Sequence, residues 1–304
     1  MSSLKHWPLM ALIAIVAISC DPAQESADPD SVSAAPSGTP LLLAVHPYDN
    51  PSELVARFQP LADYLSRCLD RPVELYLGHS YGDTIRRISA GQVDLAYLGP
   101  TLYLRAHDHY LGPSASPTIR ILAGETVDGA LGYTSVLVTL RSSPIKTVAD
   151  LRDRTLAFVE HGSFSGHFVP RAMLDQAGIT LADLMDYAFL DRHERVALAV
   201  VHGDFAAGGL RKEVADRYLD RGLKIIAEST QLSPHVIAAR PGLDDALAEI
   251  VTRALIDPGP DAQPAFAALG PGIGFAHVED SAFDPVRRAV YAIESAQPVV
   301  DKPW

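Results

Sequence analysis

The sequence predicts an α/β fold in two lobes, and three observations lead to this prediction. Short apolar runs alternate along the chain with segments whose apolar residues recur at helical spacing, which is typical of parallel sheets covered by helices. With 304 residues, 48% of them hydrophobic, the chain is long enough for about two lobes. The order of the segments also suits two crossings between lobes, near Gly132–Ser135 and near Ser229–Pro234.

Strands are predicted where a short apolar run ends at turn-forming residues. The run LLLAV at 41–45, for example, ends at HPYDNPS, which contains proline, aspartate, asparagine and serine. The predicted strands are 41–45, 73–77, 93–99, 135–140, 156–159, 224–228 and 235–240.

Helices are predicted where apolar residues lie three or four positions apart. In 52–69 this stripe includes Leu54, Phe58, Leu61 and Leu65. The predicted helices are 52–69, 82–91, 101–107, 147–152, 166–177, 180–186, 193–202, 243–256 and 280–296.

The two crossings divide the predicted elements between the lobes. The first lobe is expected to comprise 41–133 and 235–304, and the second 134–234, each with a mainly parallel sheet flanked by helices. Ligands of such folds bind at the carboxyl ends of the strands. We therefore expect a cleft between the lobes that closes on a ligand by a hinge motion.

The N-terminus has the pattern of an export signal. Lys5 precedes an apolar stretch, Pro8–Ile18, that is short for a membrane span. The residues before Cys20, Ala-Ile-Ser, resemble a bacterial lipobox, which implies removal of 1–19 and acylation of Cys20. An ordinary signal peptide with a coincidental cysteine is the alternative. Residues 20–40 lack apolar periodicity and are rich in proline, serine, alanine and aspartate, so we expect a flexible tether.

The charge and the cysteine count exclude two features. The formal net charge is −12 and no segment forms a long basic stripe, so no nucleic-acid partner is expected. Cys20 and Cys68 are the only two cysteines, so no disulfide can form within the chain once Cys20 is acylated. Cys68 lies in a predicted helix, where we expect a small buried residue.

The stretch VEHGSFSGHFVPRAML, residues 159–174, places two serines and two glycines where a strand gives way to a helix. A helix N-terminus presents unpaired N–H groups and a partial positive charge, glycine lets the backbone approach an anion, and serine adds a hydroxyl donor. The turn therefore indicates a site for a phosphate-like group or a carboxylate, with ordinary helix capping as the alternative. No Gly-Lys-Ser/Thr follows, which excludes a Walker loop, and a serine nucleophile elbow matches poorly.

Five stretches, taken in order, resemble the phosphate-, phosphite- and phosphonate-binding proteins of ABC transporters. They span most of 41–240, and the ordered set is far more specific than any single motif. The stretches are FQPLADYLSRCLDRPVEL (58–75), VDLAYLGPTLYL (93–104), GYTSVLVTLRSSPIKTVADLRDRTLAFV (132–159), GSFSGHFVPRAML (162–174) and HERVALAVVHGDFAAG (193–208). The resemblance implies a two-lobed type II periplasmic-binding-protein fold with the ligand between the lobes.

The resemblance also implies which residues contact the ligand. The family's Ser-Thr-Ser-Gly turn falls on 163–166, where Phe164 replaces the threonine and removes one hydroxyl donor. The implied contacts are Tyr81, Tyr133, Ser163, Phe164, Ser165, Gly166, His193 and Glu213. Weaker candidates are Tyr48, Tyr97, Thr101 and Ser135. For the tyrosines the alternative is ordinary packing, and for His193 and Glu213 it is a solvated position on a helix.

Two departures from the family pattern concern charge. In aminoalkylphosphonate binders of the family, acidic residues meet the ligand amine. One such position falls on Glu213, beside Arg211 and Lys212, and a further one lies near Ser233–His235, where this chain has no acid. Together with Phe164, these departures argue against a tightly held ammonium group and leave phosphate, phosphite, a simple alkylphosphonate or another small oxyanion.

The expected function is that of a lipid-anchored receptor of an ABC importer, which binds a small anionic solute and delivers it to a permease and ATPase complex. We expect a monomer at the cell membrane, facing the periplasm or the cell exterior, that is not an enzyme and needs no cofactor or metal. One alternative is a lipoprotein of the same fold that reports its ligand to a membrane signalling partner. The other is a hydrolase that uses Ser165 with His193, which ranks last because no orienting acid has a recognisable spacing.

Overall fold

The computed structural model describes residues 38–109 and 118–296. The predicted signal peptide at 1–19, Cys20 and most of the predicted tether at 20–40 lie outside the described residues. Within the two described ranges, no helix has both the length and the apolar character needed to cross a membrane.

Two sheets form the framework, and the first draws its strands from two separate parts of the chain. Its strands are β1 (Leu41–Val45), β2 (Val73–Leu77), β3 (Leu95–Leu98), β4 (Arg120–Val127), β5 (Ala130–Leu131), β11 (Val236–Ala239) and β12 (Ile273–Ala276). The strands of the second sheet are β6 (Ser135–Leu140), β7 (Thr155–Phe158), β8 (Asp186–Phe189), β9 (Ala207–Arg211) and β10 (Leu223–Glu228). The strand orders are β12-β4-β11-β3-β1-β2, with β5 paired to β4, and β10-β6-β9-β7-β8.

Helices flank both sheets. They are α1 (Pro51–Leu69), α2 (Tyr81–Ser89), α3 (Pro100–Leu104), α4 (Val169–Gln176), α5 (His193–His202), α6 (Lys212–Asp216), α7 (Asp245–Ile256), α8 (Gln263–Leu269) and α9 (Asp284–Ala296). A π-helical turn, Arg105–His109, follows α3, and a second, Phe164–Phe168, precedes α4. Short 3₁₀ turns lie at Val148–Leu151, Leu181–Asp183, Pro260–Ala262 and Asp280–Phe283.

The predicted α/β fold is confirmed, but both sheets mix parallel and antiparallel pairs instead of being mainly parallel. In the first sheet β1 is parallel to β2 and β3, whereas β11 is antiparallel to β3 and β4. In the second sheet β7 is parallel to β8 and β9, whereas β6 is antiparallel to β9 and β10. The strands that directly follow the crossings, β6 and β11, each run antiparallel to both of their neighbours in the sheet.

Strand β9 was not predicted, because its sequence AGGLR contains two glycines, which are poor strand formers. Both glycines are required by close helix packing. A methyl group added to Gly208 would lie 2.5 Å from Cγ1 of Val196 on α5, and one added to Gly209 would lie 2.4 Å from Cγ of Pro170 on α4. The two helices therefore contact the bare backbone of β9.

One predicted helix differs from the structure, and four further strands, β4, β5, β8 and β12, were also not predicted. The segment 180–186, predicted as a helix, contains only the turn Leu181–Asp183 before β8 begins. The Asp183 carboxylate accepts hydrogen bonds from the backbone N–H and the hydroxyl of Thr180, 2.8 Å each, which closes the turn. The Gly/Pro-rich segment before Ile273 leads into β12, a strand that was not predicted because Gly272 precedes it and Gly274 lies within it.

The apolar cores place the predicted anion turn between the sheets. The first sheet and its helices share one core, whereas the second sheet has a core on each face, since successive strand residues point to opposite sides. Val136 and Val138 of β6 belong to one of these cores and Leu137 to the other. Phe164 and Phe168, which follow β7, pack into the core of the first sheet.

The two crossings between the sheets run side by side. The segment that leads from β5 to β6 pairs with the segment between β10 and β11, through an antiparallel bridge of Tyr133 with Leu232. The Leu232 N–H donates to the Tyr133 carbonyl at 2.8 Å, and the Ser229 N–H donates to the Ser135 carbonyl at 2.9 Å. This paired connection includes Tyr133, one of the predicted ligand contacts.

Candidate ligand-binding site

A small cavity lies between the two sheets, where β1 and β3 end and where the turn after β7 begins. None of the described residues that line it is Asp, Glu, Lys or Arg, so its polar groups are hydroxyls, imidazoles and backbone. The lining residues are His46, Tyr48, Tyr81, Gly99, Pro100, Thr101, Leu102, Tyr133, Ser163, Phe164, Ser165, His193 and His235.

The turn at 163–166 contributes a helix start to the cavity. Ser163 caps the π-helical turn, since its hydroxyl accepts the Gly166 N–H at 3.1 Å. The N–H groups of a first helical turn have no acceptor within the helix, which leaves those of Phe164 and Ser165 for a ligand. A methyl group at Gly166 would lie 2.3 Å from Cγ2 of Val159, so only glycine permits this tight return.

Three of the four tyrosines that the sequence singled out line the cavity, and the fourth does not. Tyr81 and Tyr133 line the cavity; burial raises the pKa of both, that of Tyr133 to about 12, so each hydroxyl carries its proton at neutral pH. Tyr48, a weaker candidate, also lines the cavity. Tyr97 does not, and its hydroxyl instead donates to Oε2 of Glu125 at 2.6 Å.

Backbone groups fix the roles of two histidine rings. The Arg211 N–H donates to Nδ1 of His193 at 3.0 Å, so the ring proton lies on Nε2 and is free to be donated. His46 Nδ1 lies 3.0 Å from the Tyr97 carbonyl, so Nδ1 carries the proton and Nε2 keeps a lone pair. Burial lowers the pKa of His46 to about 4, and burial together with the Arg211 charge holds the pKa of His193 well below its usual range. Both rings are therefore neutral at pH 7.

Three buried polar atoms at the cavity have no hydrogen-bond partner: the Tyr48 hydroxyl, Thr101 Oγ1 and His235 Nδ1. Buried polar groups in proteins are nearly always paired, and an unpaired one costs about 1–3 kcal/mol. A ligand with several oxygens would satisfy such atoms.

Ser135, Glu213 and Gly166 do not line the cavity. Ser135 supports the turn from behind, since its buried hydroxyl donates to the Ser165 carbonyl at 2.6 Å. Glu213 lies 2.5 Å from Nη1 of Arg57 and 3.1 Å from Nη2 of Arg211. It lines a larger neighbouring cavity, of about 840 Å³, which shares Tyr133 with the smaller one.

The sequence did not single out His46, Glu125 and Arg57, and it noted Arg211 only as a departure. His46 directly follows β1, and ligand contacts at the carboxyl ends of strands are the rule in α/β folds, so that position was a usable signal. The pairing of Arg211 with Glu125, 86 residues apart, has no local signature. His235, where the sequence showed the lack of an acid, is a lining residue.

The surroundings of His193 do not support the hydrolase alternative, because no acidic side chain within the described ranges orients its ring. Its Nδ1, where an orienting acid would bind, accepts a backbone N–H. Among the described residues, no group of three or more His, Cys, Asp and Glu side chains could hold a metal ion.

Residues 43–283 match the family described as the periplasmic substrate-binding protein of phosphonate ABC transporters. The phosphate-import protein PhnD of Mycolicibacterium smegmatis is 28% identical over an alignment of 253 residues that covers 78% of this chain and 78% of that protein. PhnD1 of Prochlorococcus marinus, solved in complex with methylphosphonate, superposes with a TM-score of 0.75 at 18% identity, over 84% of this chain and 98% of that one.

A binding-protein component of an ABC phosphonate transporter from Pseudomonas aeruginosa gives a TM-score of 0.74 at 18% identity, over 87% of this chain and 91% of that one. At such identities these structures show the shared fold, and they confirm the predicted type II periplasmic-binding-protein architecture. Because the family match covers most of the chain, this protein belongs to the periplasmic substrate-binding proteins of phosphonate ABC transporters.

Proposed function

We propose that this chain is the lipid-anchored receptor of an ABC importer and binds phosphate, phosphite or a simple alkylphosphonate in the cavity between its sheets. One observation carries the proposal: the cavity is lined by neutral donors from both sheets and holds three buried polar atoms without partners. The names of two relatives agree with it, since one is a phosphate-import protein and another was solved with methylphosphonate.

A tetrahedral oxyanion needs several donors at fixed positions. In the proposed complex, Tyr81, Tyr133 and Ser165 donate from their hydroxyls and His193 from Nε2, while the helix start at 163–166 supplies N–H groups and a partial positive charge. Phe164 closes the apolar side of the cavity. No lining side chain is ionised at neutral pH, so hydrogen bonds and dipoles balance the ligand charge.

Ligand binding is proposed to draw two lobes together, the first comprising 41–133 and 235–304 and the second 134–234. Tyr48, Tyr81 and Thr101 belong to the first lobe, and Ser165 and His193 to the second. A ligand that contacts both sets favours the closed state by its differential affinity. The closed receptor would then deliver the ligand to the permease and ATPase.

The proposed lipid anchor predicts that Cys20→Ser moves the protein out of the membrane fraction. Cys20 lies outside the described residues, so the prediction rests on the lipobox-like sequence before it. Fractionation of cells that express either form, with labelled palmitate as tracer, measures both location and acylation. Cys68→Ser is the matched control and should leave both unchanged. An unlabelled wild-type protein in the soluble fraction would contradict the anchor.

The ligand is tested by calorimetry and thermal shift on the full chain, purified in mild detergent, with phosphate, phosphite, methylphosphonate and sulfate. At least one phosphorus oxyanion should bind, and at 100 times its Kd it should stabilise the protein by about 2.7 kcal/mol. Ser165→Ala should raise the Kd about tenfold or more, because a hydrogen bond to a charged group is worth about 1.5–3 kcal/mol.

Thr139→Val is the matched control for Ser165→Ala. Thr139 is fully buried in the second sheet and donates to the Ala206 carbonyl at 2.6 Å, away from the cavity. Its loss should lower stability and leave the Kd within about twofold, as is usual for distant sites. The oxyanion proposal is wrong if no phosphorus oxyanion binds the wild type, or if Ser165→Ala binds as tightly as the wild type does.

A further inference from the structure

We infer that Arg211 determines ligand specificity: its guanidinium takes the place beside the cavity that a ligand's ammonium group would need, so the site accepts simple phosphorus oxyanions and rejects aminoalkylphosphonates. The inference rests on the proposed function and adds the class of ligand that is excluded. Four features of the structure support it.

The first feature is the position of Arg211. It is the last residue of β9 and is 2% exposed. Its guanidinium carbon lies 5.1 Å from the ring centre of Tyr133 and 5.9 Å from that of Tyr48, and both rings line the cavity. Its backbone N–H fixes the tautomer of His193. The positive charge of Arg211 is thus separated from the proposed ligand only by the side chains of Tyr48, Tyr133 and His193.

The second feature is a carboxylate that stands equally close to the cavity. Glu125 is buried, and its Oε1 lies 3.9 Å from Nδ1 of His235, a lining residue. A buried carboxylate in this position could balance the charge of an ammonium group on a ligand. Here Arg211 already does so, with Nη2 2.6 Å from Oε1 of Glu125, and Tyr97 donates to the other oxygen.

The third feature is the second nearby carboxylate, Glu213, whose charge is already balanced by two guanidinium groups, although its Oε2 makes no hydrogen bond to the described residues. Its Oε1 lies 2.5 Å from Nη1 of Arg57, and its Oε2 lies 3.1 Å from Nη2 of Arg211. Although burial opposes ionisation, the two guanidinium groups hold the pKa of Glu213 below its usual range. The four side chains of this network are two arginines and two glutamates, so their formal charges sum to zero; they are Arg57, Arg211, Glu125 and Glu213.

The fourth feature is the lack of acid in the lining itself, as far as the structure describes it. An ammonium group on a short arm would approach the Arg211 guanidinium, while the charges of both nearby carboxylates are already balanced by guanidinium groups, so the like-charge contact is unfavourable. Phosphate, phosphite and methylphosphonate bring no such charge. The buried network therefore favours ligands that have no cationic arm.

The test uses two ligands of nearly the same shape, 2-aminoethylphosphonate and propylphosphonate, which differ by an ammonium in place of a methyl group. The reference is whichever of phosphate, phosphite and methylphosphonate binds the full wild-type chain best. We expect 2-aminoethylphosphonate to bind at least about 100-fold more weakly than the reference and more weakly than propylphosphonate, because like-charge contacts are strongly unfavourable.

Arg211→Met frees Glu125 and should improve 2-aminoethylphosphonate binding about 30-fold or more relative to the reference, with little relative change for propylphosphonate. The double variant Arg211→Met/Glu125→Gln should lose this gain. Lys212→Met is the matched control, since Lys212 pairs with Asp216 on α6 at 2.8 Å, and its ligand ratios should stay at the wild-type values.

The inference is overturned if the wild type binds 2-aminoethylphosphonate as tightly as propylphosphonate, a comparison that does not depend on the folding of any variant. It is also overturned if folded Arg211→Met shows no relative gain, or an equal gain for propylphosphonate, which would indicate size instead of charge. If no phosphorus oxyanion binds the wild type at all, the proposed function itself has failed. If a simple oxyanion binds and only the ammonium comparison fails, the proposed function stands without this inference.

Discussion

Gly132→Ala should lower the free energy of unfolding by about 3 kcal/mol or more, since it combines backbone strain with a clash in the folded chain. Gly132 has φ +110°, a conformation that residues with a side chain rarely adopt. An added Cβ would lie 2.1 Å from the Leu232 carbonyl oxygen. Because that neighbour is backbone, no side-chain rotation can relieve the contact.

The same substitution should weaken ligand binding. Gly132 precedes Tyr133, which lines the cavity and whose carbonyl accepts the Leu232 N–H at 2.8 Å. A shift large enough to accommodate the methyl group would separate the paired crossings and move the Tyr133 hydroxyl. We expect the Kd for the best phosphorus oxyanion to rise about tenfold or more, the cost of losing one hydrogen bond to a charged group.

Gly129→Ala is the matched control. Gly129 also has a positive φ, +80°, but nothing lies within 4 Å of an added Cβ. It forms the Asp128–Gly129 turn between β4 and β5, where only the conformational cost of about 1–2 kcal/mol applies. Urea unfolding of both variants separates strain from clash. Equal losses for the two would contradict the close approach of Gly132 to Leu232.

Stability should fall steeply as the pH drops from about 6.5 to about 4. Burial lowers the pKa of four histidines, that of His46 to about 4 and that of His167 to about 3. The unfolded chain binds these protons below about pH 6.5, whereas the folded chain does not, so each proton taken up favours unfolding. The stabilisation is complete above pH 6.5 and, for His46 alone, amounts to about 3 kcal/mol. The four are His46, His167, His193 and His235.

One group opposes this trend. Burial raises the pKa of Glu160 to about 7, so between that pH and its unfolded value the folded chain binds the extra proton and gains stability as the pH falls. One carboxyl group offsets only part of the effect of four imidazoles. Urea unfolding in phosphate-free buffers at about pH 7.5, 6 and 4.5 should therefore show a net decline.

His167→Phe is the variant that tests the cause. The His167 ring lies against Phe158, Phe168 and Phe189, at centroid distances of 5.4, 4.8 and 4.9 Å, so a phenyl ring suits the site and removes one titrating group. The variant should lose less stability between pH 7.5 and 4.5 than the wild type does. A pH profile as steep as that of the wild type would show that the His167 ring is not kept neutral by burial in the folded protein.

Helices and strands whose apolar residues follow one clear spacing were predictable from the sequence. The predicted strands 41–45, 73–77 and 135–140 and the helix 193–202 have the bounds found in the structure. Strand β9 was not predictable, because its two glycines are explained only by the helices that contact them. The local sequence pattern indicates which secondary structure a segment favours, but it does not indicate which elements pack against that segment.

The candidate site likewise has one part that was predictable from the sequence and one part that was not. The turn at 163–166 was visible because a strand, a small polar turn and a helix follow one another directly in the sequence. The network around Arg211 was not, since its partners Glu125 and Tyr97 lie 86 and 114 residues away. The role of His46 likewise depends on Tyr97, 51 residues away. Such groups meet only after both sheets have formed.

The central place of β11 in the first sheet has a consequence for the order in which the chain folds. Because β11 lies between β3 and β4, a nascent chain that ends before Val236 leaves an edge of each strand without its partner, and open edges invite aggregation. The second sheet, by contrast, is built from one continuous segment, 135–228. It can therefore be complete while the first sheet, whose strands β1 to β5 are made earlier, still lacks β11 and β12.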